Sequence, residues 1–431
     1  MTSSPTDIQP SITQKQSAAY ASQRRWIERA GALDASGLHR AIHEAGDVIA
    51  VRTGLTGAIM LPDPPALDGP ALLDAIAWLR HNGSGDVLIW SGSHDLKLDR
   101  WLSAQGARLG FEPLWMCRDV RLPIIPPSVA DLTVRPVTGD DLSRLVRETA
   151  IPYATAWQIR ATHHLATASD HQREVRVLIA ELDDRIVGRA VVHHADGPIG
   201  PTAGIYDLAV HPGHQRRGIG GQLTGAALRI GQEMGARLAT LNSTPQGEKL
   251  YRAAGFEPIG RGQTWLLPEQ TLRRQPSHEA TRFAMMLSGG ETIPASMSRH
   301  ARIILPNGET PLAHAARFRQ FEIVRQLLAT GTTPDIAALW QLGLHDAARE
   351  MMEDPKALNA RRGPEGTTPL HLAIQWHDER LLTALLAAGA NPHIRDKSHG
   401  GDAWGWARAL GNDAALRVLN ERFPDERGQN S

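Results

Sequence analysis

Residues 211–221, HPGHQRRGIGG, place Arg216 and Arg217 directly ahead of Gly218, Gly220 and Gly221. A stretch of this kind serves as a surface turn, a basic patch or a cradle for a phosphate. Glycine lets an anion approach main-chain N–H groups because no Cβ intervenes. Downstream, Ile219, Leu223, Ala227, Ile230 and Met234 recur at three- and four-residue intervals, the period of an amphipathic helix. The glycines therefore open a helix, where unpaired N–H groups and the positive end of the helix dipole point outward. A phosphate cradle uses all of these features, whereas a glycine-rich loop without a ligand uses only the glycines. Other reactive side chains are few. Cys117 is the single cysteine, which excludes a disulfide framework and a cysteine-built zinc site. Within LGFEPLWMCRDV it reads as buried filler. His193 and His194, at the end of a strand-like run, read as exposed edge histidines. No metal site is expected.

The elements that must position the loop are legible on both sides of it. Residues 175–194, VRVLIAELDDRIVGRAVVHH, are two β-branched runs around Asp183, Asp184 and Arg185, a hairpin pattern. GIYDLAV (204–210) is a third strand, and RLATLN (237–242) follows the helix as a fourth. A short helix around GEKLYRAAG then ends at Gly255, before FEPIG.

Val210 and Pro212, the run Gln215-Arg216-Arg217-Gly218-Ile219-Gly220, a helix, a strand and then LYRAAGF together resemble the GNAT superfamily of acyl-CoA-dependent N-acetyltransferases. The resemblance covers residues of about 130–268, with LTVRPVTGDDLSRLV (132–146) similar to the family's first strand and helix. It implies an α/β GNAT fold, a mixed central sheet with flanking helices. It also implies acetyl-CoA as co-substrate, its pyrophosphate held by main-chain N–H groups of Gln215, Arg216, Arg217, Gly218, Ile219 and Gly220, with Gly221 as a further donor. Main-chain groups of Leu208, Ala209 and Val210 would pair with the pantetheine arm, and Asn242 matches a position that contacts it. Tyr251 stands where the family places its general acid, and a phenol can protonate a departing thiolate. Families with a glutamate base carry it near Gly204. Asp207 is the only carboxylate on that strand and becomes the candidate base, or else holds a bulge. A weak base handicaps lysine: at pH 7.4 about 0.1% of an amine of pKa 10.4 is neutral, against roughly a third at pKa 7.7.

The chain has 431 residues, enough for two to four domains, and Lys+Arg and Asp+Glu both total 46. A net charge of zero leaves no electrostatic footprint for nucleic acid. No segment offers ~20 consecutive apolar residues, so no membrane span is expected, and a cytoplasmic location is. The opening MTSSPTDIQPSITQKQ is polar, and residues 1–23 are expected to be a disordered tail.

Gly-Phe-Glu-Pro occurs twice, in ARLGFEPLWMCRDVRLP (107–123) and RAAGFEPIGRGQTWLLP (252–268). Residues 24–125 are therefore expected to be a degenerate, structural GNAT-like unit preceding the catalytic one at 128–268. Residues 269–305 read as a polar linker, so a cut there is expected to leave residues 1–270 folded. GTTPLHLAIQWHDERLLTALLAAGANP (366–392) resembles an ankyrin repeat, with Thr368 as a helix cap and Pro369 after it. GETPLAHAARFRQFEIVRQLLATG (308–331) is a second copy, a shortened repeat lies between them, and 400–423 reads as a C-terminal cap. Repeats over 306–427 imply a stacked all-α solenoid that does no chemistry and either binds proteins or serves only as a scaffold against the catalytic domain. Trp376, Trp404 and Trp406 read as core.

These features predict an N-acetyltransferase acting by direct attack of an amine on acetyl-CoA, its ankyrin repeats recruiting a protein substrate or regulator. Two alternatives stand beside it. One is an acetyltransferase for a small amine such as an antibiotic or a polyamine. The other is an interaction protein that binds acyl-CoA without turnover.

Overall fold

The computed structural model describes residues 10–31, 41–53, 56–148, 156–167, 174–362, 366–397, 400–410 and 412–424. The chain divides into two compact units, 1–94 with 112–264, and 95–111 with 265–431.

The first unit opens with α1 (Ile12–Gly31). Residues 1–9 of the expected tail lie outside the described residues, but from Ile12 onward the expectation of disorder is wrong. Ala18, Ala19, Ser22, Gln23 and Trp26 fall at three- and four-residue spacing and are all buried. Four of these five residues are polar or small, so hydrophobic periodicity alone does not reveal the stripe. Next come β1 (Ile42–Ala45), β2 (Val48–Thr53), β3 (Thr56–Met60), α2 (Gly69–His81) and β4 (Val87–Ser91). The first three strands pair antiparallel in order, and β3 runs parallel to β4. The chain passes through α3 (Leu96–Ala104) and β5 (Arg108–Leu109), which belong to the second unit, and returns with β6 (Leu114–Asp119).

The remainder of this unit is β7 (Thr133–Pro136), α4 (Leu142–Glu148), α5 (Ala156–Thr167), β8 (Val175–Leu182), β9 (Arg185–Gly197), β10 (Gly200–Val210), α6 (Ile219–Glu233), β11 (Leu238–Ser243), α7 (Pro245–Ala253) and β12 (Glu257–Arg261). The strands form one sheet in the order β12-β6-β11-β10-β9-β8-β7. Only β10 and β11 are parallel neighbours in it. The β8–β9 hairpin turns where expected, with Asp183 and Asp184 both at positive φ, as a tight two-residue turn requires. On one face α6 sets Ile219, Leu223 and Ala227 against Leu178, Ala190, Val192 and Ile205. On the other, Trp26 of α1 and Leu165 of α5 pack on Val175, Val191 and Tyr206.

Two expectations change here. β6 follows the first Gly-Phe-Glu-Pro, yet it pairs with β11 on one side and with β12, which carries the second copy, on the other. The boundary drawn at 125 therefore leaves outside the catalytic unit a strand that its sheet contains. Cys117, on this strand, is buried, and burial pushes its thiol up to about 11. His193 is not an edge histidine either. β9 lies between β8 and β10, and His193 is buried beside Trp26, ring centroids 5.6 Å apart.

The division between units falls inside β13 (Gln263–Leu267), whose Trp265 and Leu266 pair with Leu109 and Arg108 of β5. α8 (Glu269–Arg274) and α9 (His278–Gly289) follow, so the expected linker is largely helical. Phe283, Ala284, Met286 and Leu287 form a buried stripe on α9, in one core with Ala104 of α3. Paired helices come next: α10 (Pro311–Arg317) with α11 (Phe321–Ala329), α12 (Ile336–Gln341) with α13 (His345–Met352), then a short α14 (Pro355–Leu358). α15 (Pro369–Gln375) with α16 (Glu379–Ala387) and α17 (Ala403–Ala409) with α18 (Asp413–Arg422) complete the series. Thr310 and Thr368 cap the repeats that carry Thr-Pro, and Asp335 and Asp402 cap the two that lack it. Trp404 is fully buried, while Trp376 and Trp406 are partly so.

Candidate active site

The parallel pair at the centre of the first unit's sheet is short. β10 and β11 are joined at Thr202–Leu238, Ala203–Ala239 and Gly204–Thr240, and the ladder stops there although both strands continue. On its other side β10 stays paired with β9 to Val210, through an irregularity between Tyr206 and Ala209. Asp207 sits in that bulge at a φ of 49°, so one extra residue re-aims the strand and opens a wedge toward β11. Leu208, Ala209 and Val210 line one lip of the wedge. Ala209 and Val210 give one main-chain edge to β9, which leaves the other edge to face the gap.

The glycine-rich loop lies at the mouth. Gln215, Arg216 and Arg217 are exposed, and the Gln215 amide nitrogen donates to the Val210 carbonyl at 3.2 Å. Arg216 and Gly218 have φ of 59° and 87°, and Gly218 is the N-cap of α6. Ile219, Gly220 and Gly221 are in the helix's first turn, whose N–H groups have no intrahelical acceptor. The two glycines of that turn differ. A Cβ at Gly220 would come closest to the tip of Leu250, at 3.1 Å, whereas one at Gly221 would strike the Pro127 ring at 2.7 Å. Packing alone explains Gly221.

Alternation assigns the wedge two faces. Ile205 and Leu241 belong to the core under α6, and so does Tyr251 of α7. The Tyr251 ring meets Phe256 edge-on at 5.9 Å and lies 3.0 Å from where a Gly247 Cβ would stand. Burial pushes its phenol up to about 12, so it stays protonated throughout the neutral range. Gly204, Tyr206, Thr240 and Asn242 take the opposite face. Asn242, expected on the pantetheine arm, donates instead to Gln23 Oε1 of α1 at 2.7 Å. At the position where the family carries glutamate there is no room for one: the Tyr206 hydroxyl lies 2.3 Å from where a Gly204 Cβ would be. Asp207 accepts from Arg189 at 3.2 Å, and burial raises its carboxyl despite that partner. Sequence reasoning missed Ser22, Gln23, Tyr206 and the buried state of His193. Gly204 followed two residues later by an aromatic on the same strand face was the available signal.

A strand, a glycine-opened helix and a following strand stand in the order that the motifs led one to expect. Residues 142–256 match the profile of the acetyltransferase (GNAT) family, and residues 294–396 match ankyrin repeats (3 copies). The chain thus carries a GNAT acetyltransferase domain and a C-terminal ankyrin region. No curated protein matches it. Among solved structures it is similar to a GCN5-related N-acetyltransferase from Kribbella flavida, at 16% identity and a TM-score of 0.39, over 58% of this chain and 95% of that one. A GCN5-related N-acetyltransferase from Sphaerobacter thermophilus aligns at 16% identity and 0.39, over 54% and 78%. A tandem GNAT protein from the clavulanic acid biosynthesis pathway aligns at 16% and 0.39, over 53% and 79%.

Proposed function

We propose that the protein is an acyl-CoA-dependent N-acetyltransferase whose ankyrin region engages a protein partner. The observation that carries this reading is the parting of β10 from β11 beyond Gly204 and Thr240, directly behind the exposed loop that opens α6. The wedge suits an extended arm that pairs with strand main chain, and the loop suits the anionic pyrophosphate at its end. Acetyl-CoA would lie with its phosphates on Gln215 to Gly220 and its thioester between the lips. A neutral amine then attacks the carbonyl carbon as the C–S bond breaks. Tyr251, protonated and on the α6 side, is the candidate donor to the thiolate. Asp207 is a poorer base than the sequence suggested, because its carboxylate is committed to Arg189. A cytoplasmic location suits acetyl-CoA as donor.

Calorimetry with acetyl-CoA tests the reading directly. Gly220→Glu sets a carboxylate at the mouth of the cradle and should weaken binding tenfold or more, about 1.4 kcal/mol. Unchanged affinity in a folded variant would move the cofactor elsewhere. Tyr251→Phe removes only the hydroxyl. Turnover should fall by about 10²–10⁴ with acetyl-CoA affinity little changed, and a variant retaining half the rate would return Tyr251 to packing.

A further inference from the structure

The wedge between β10 and β11 has its mouth at the glycine-rich loop and its vertex at the Gly204–Thr240 rung, where the ladder stops. Continued in register, Tyr206 would stand opposite Asn242, yet the two do not pair. Tyr206 leans back along its own strand instead. Its hydroxyl oxygen lies 2.3 Å from where a Gly204 Cβ would stand, and the nearest ring carbon 2.4 Å. Only glycine lets the ring cover the rung in this way. The ring is held there from α1: Ser22 Oγ is 2.8 Å from the hydroxyl, and Trp26 stacks on the ring at 5.6 Å and an interplanar angle of 3°. All three side chains are buried. On the opposite face Ile205 and Leu241, the next residues of each strand, belong with Tyr251 to the packed core under α6. Between the strands the ladder itself closes the way. The vertex is a blind end.

We propose that Tyr206 sets the acyl-chain length that the transferase accepts: the blind end takes an acetyl group, and the ring excludes longer acyl chains. This rests on the N-acetyltransferase reading above. With the pyrophosphate on the loop and the arm paired along Leu208 to Val210, the acyl group at the far end of the arm points to the vertex. The acetyl methyl ends against the Tyr206 ring, and further carbons would need the volume that the ring fills. Moving the ring breaks its stack on Trp26 and leaves buried hydroxyls of Tyr206 and Ser22 without each other. Moving the opposite wall opens a close-packed core. Tyr206 acts by volume, since its hydroxyl is already engaged.

The direction of the effect separates this arrangement from an open cleft. In an open apolar cleft each added methylene buries more surface and tightens binding. At a blind end it overpacks and weakens binding.

The test is calorimetry of the full chain with CoA, acetyl-CoA, butyryl-CoA and octanoyl-CoA. Wild-type affinity should fall about tenfold or more from acetyl-CoA to butyryl-CoA and should not recover with octanoyl-CoA. Tyr206→Phe keeps the ring and should keep that order. Tyr206→Leu and Tyr206→Ala shorten the barrier and should bring butyryl-CoA to within about threefold of acetyl-CoA, or beyond it. Free CoA ends short of the vertex, so its affinity should be little changed in both variants, which distinguishes a lost barrier from a lost fold. The wild-type series requires no variant to fold: octanoyl-CoA bound as tightly as acetyl-CoA overturns the proposal. So does a Tyr206→Leu variant that binds free CoA normally and keeps the wild-type order. A chain that binds neither CoA nor any of its three esters removes the N-acetyltransferase reading itself. Equal binding of all four spares that reading and removes this one.

Discussion

Two arginines largely withdrawn from solvent, one in each unit, are treated in opposite ways. Arg317 in the ankyrin region has a partner for every nitrogen: Nε to Glu309 at 2.8 Å, one amino group to Asp99 at 3.2 Å and the other to Ser103 at 2.9 Å. Its guanidinium also lies over the Phe318 ring at 4.2 Å. Against the desolvation of burial, Arg317 and His314 hold the Glu309 carboxyl well below the usual range. Arg189 in the acetyltransferase sheet is more deeply buried, and among the described residues it meets only Asp207 and its Nε has no partner. Desolvation lowers its pKa and raises that of Asp207. A satisfied network of this kind fixes one packing, whereas a half-satisfied one beside an open wedge retains unspent polar capacity. The first lies in the ankyrin region and the second in the candidate site.

The harshest way to break the contrast is to remove the scaffold. A chain cut at residue 270 keeps α3 but loses α9, α10 and Arg317, the partners of its Ala104 and Asp99. In contrast to what the polar texture of 269–305 suggested, residues 1–270 should aggregate or unfold without cooperativity. A monomeric, cooperatively melting fragment by light scattering and calorimetry would show that residues 95–111 need no such cover.

Within the intact chain the two arginines should differ in cost. Arg317→Met strands Glu309 and Asp99 and should lose ~3–5 kcal/mol in denaturant unfolding. Arg189→Met relieves a buried, half-paired guanidinium and leaves a partly exposed Asp207, so it should change stability by no more than about 1 kcal/mol. Equal costs would erase the distinction between scaffold and site.

Acid should act on both units more gently. His193 is held at about 4, chiefly by desolvation and then by Arg29, His194 and Arg25. Its folded pKa is depressed below the unfolded value near 6.5, so the unfolded chain binds more protons between the two. Stability from this group is therefore present above pH 6.5 and lost as pH falls toward 4, at most ~3 kcal/mol. Glu309 is a depressed carboxylate, whose contribution is lost only below its unfolded pKa near 4.5. His371 of the ankyrin region is buried and depressed by desolvation as well, so both units should weaken as the pH falls below 6.5, and His193→Phe should flatten only the part of that slope that belongs to the acetyltransferase unit. A single transition unaffected by that change would remove His193 from the account.

Much of this molecule is written locally. The β8–β9 turn, the glycines ahead of α6, and Thr-Pro at the heads of α10 and α15 depend on residues within a few positions of one another. Backbone conformation, caps and period are properties of adjacent residues, so the sequence alone determined the hairpin, the loop-to-helix junction and the repeats. It was silent on partners distant in the chain. That β6 fills the sheet between β11 and β12, that α1 spans the wedge through Ser22 and Gln23, and that α9 buries Phe283 beside α3 are long-range pairings. Gly204, His193 and Asn242 illustrate the consequence. Their types suggested a missing base, an edge and a cofactor contact. The tertiary structure set a tyrosine hydroxyl over the first, buried the second between strands and gave the third to a helix some 200 residues away, because side-chain environment is decided by which surfaces meet and not by which residues adjoin.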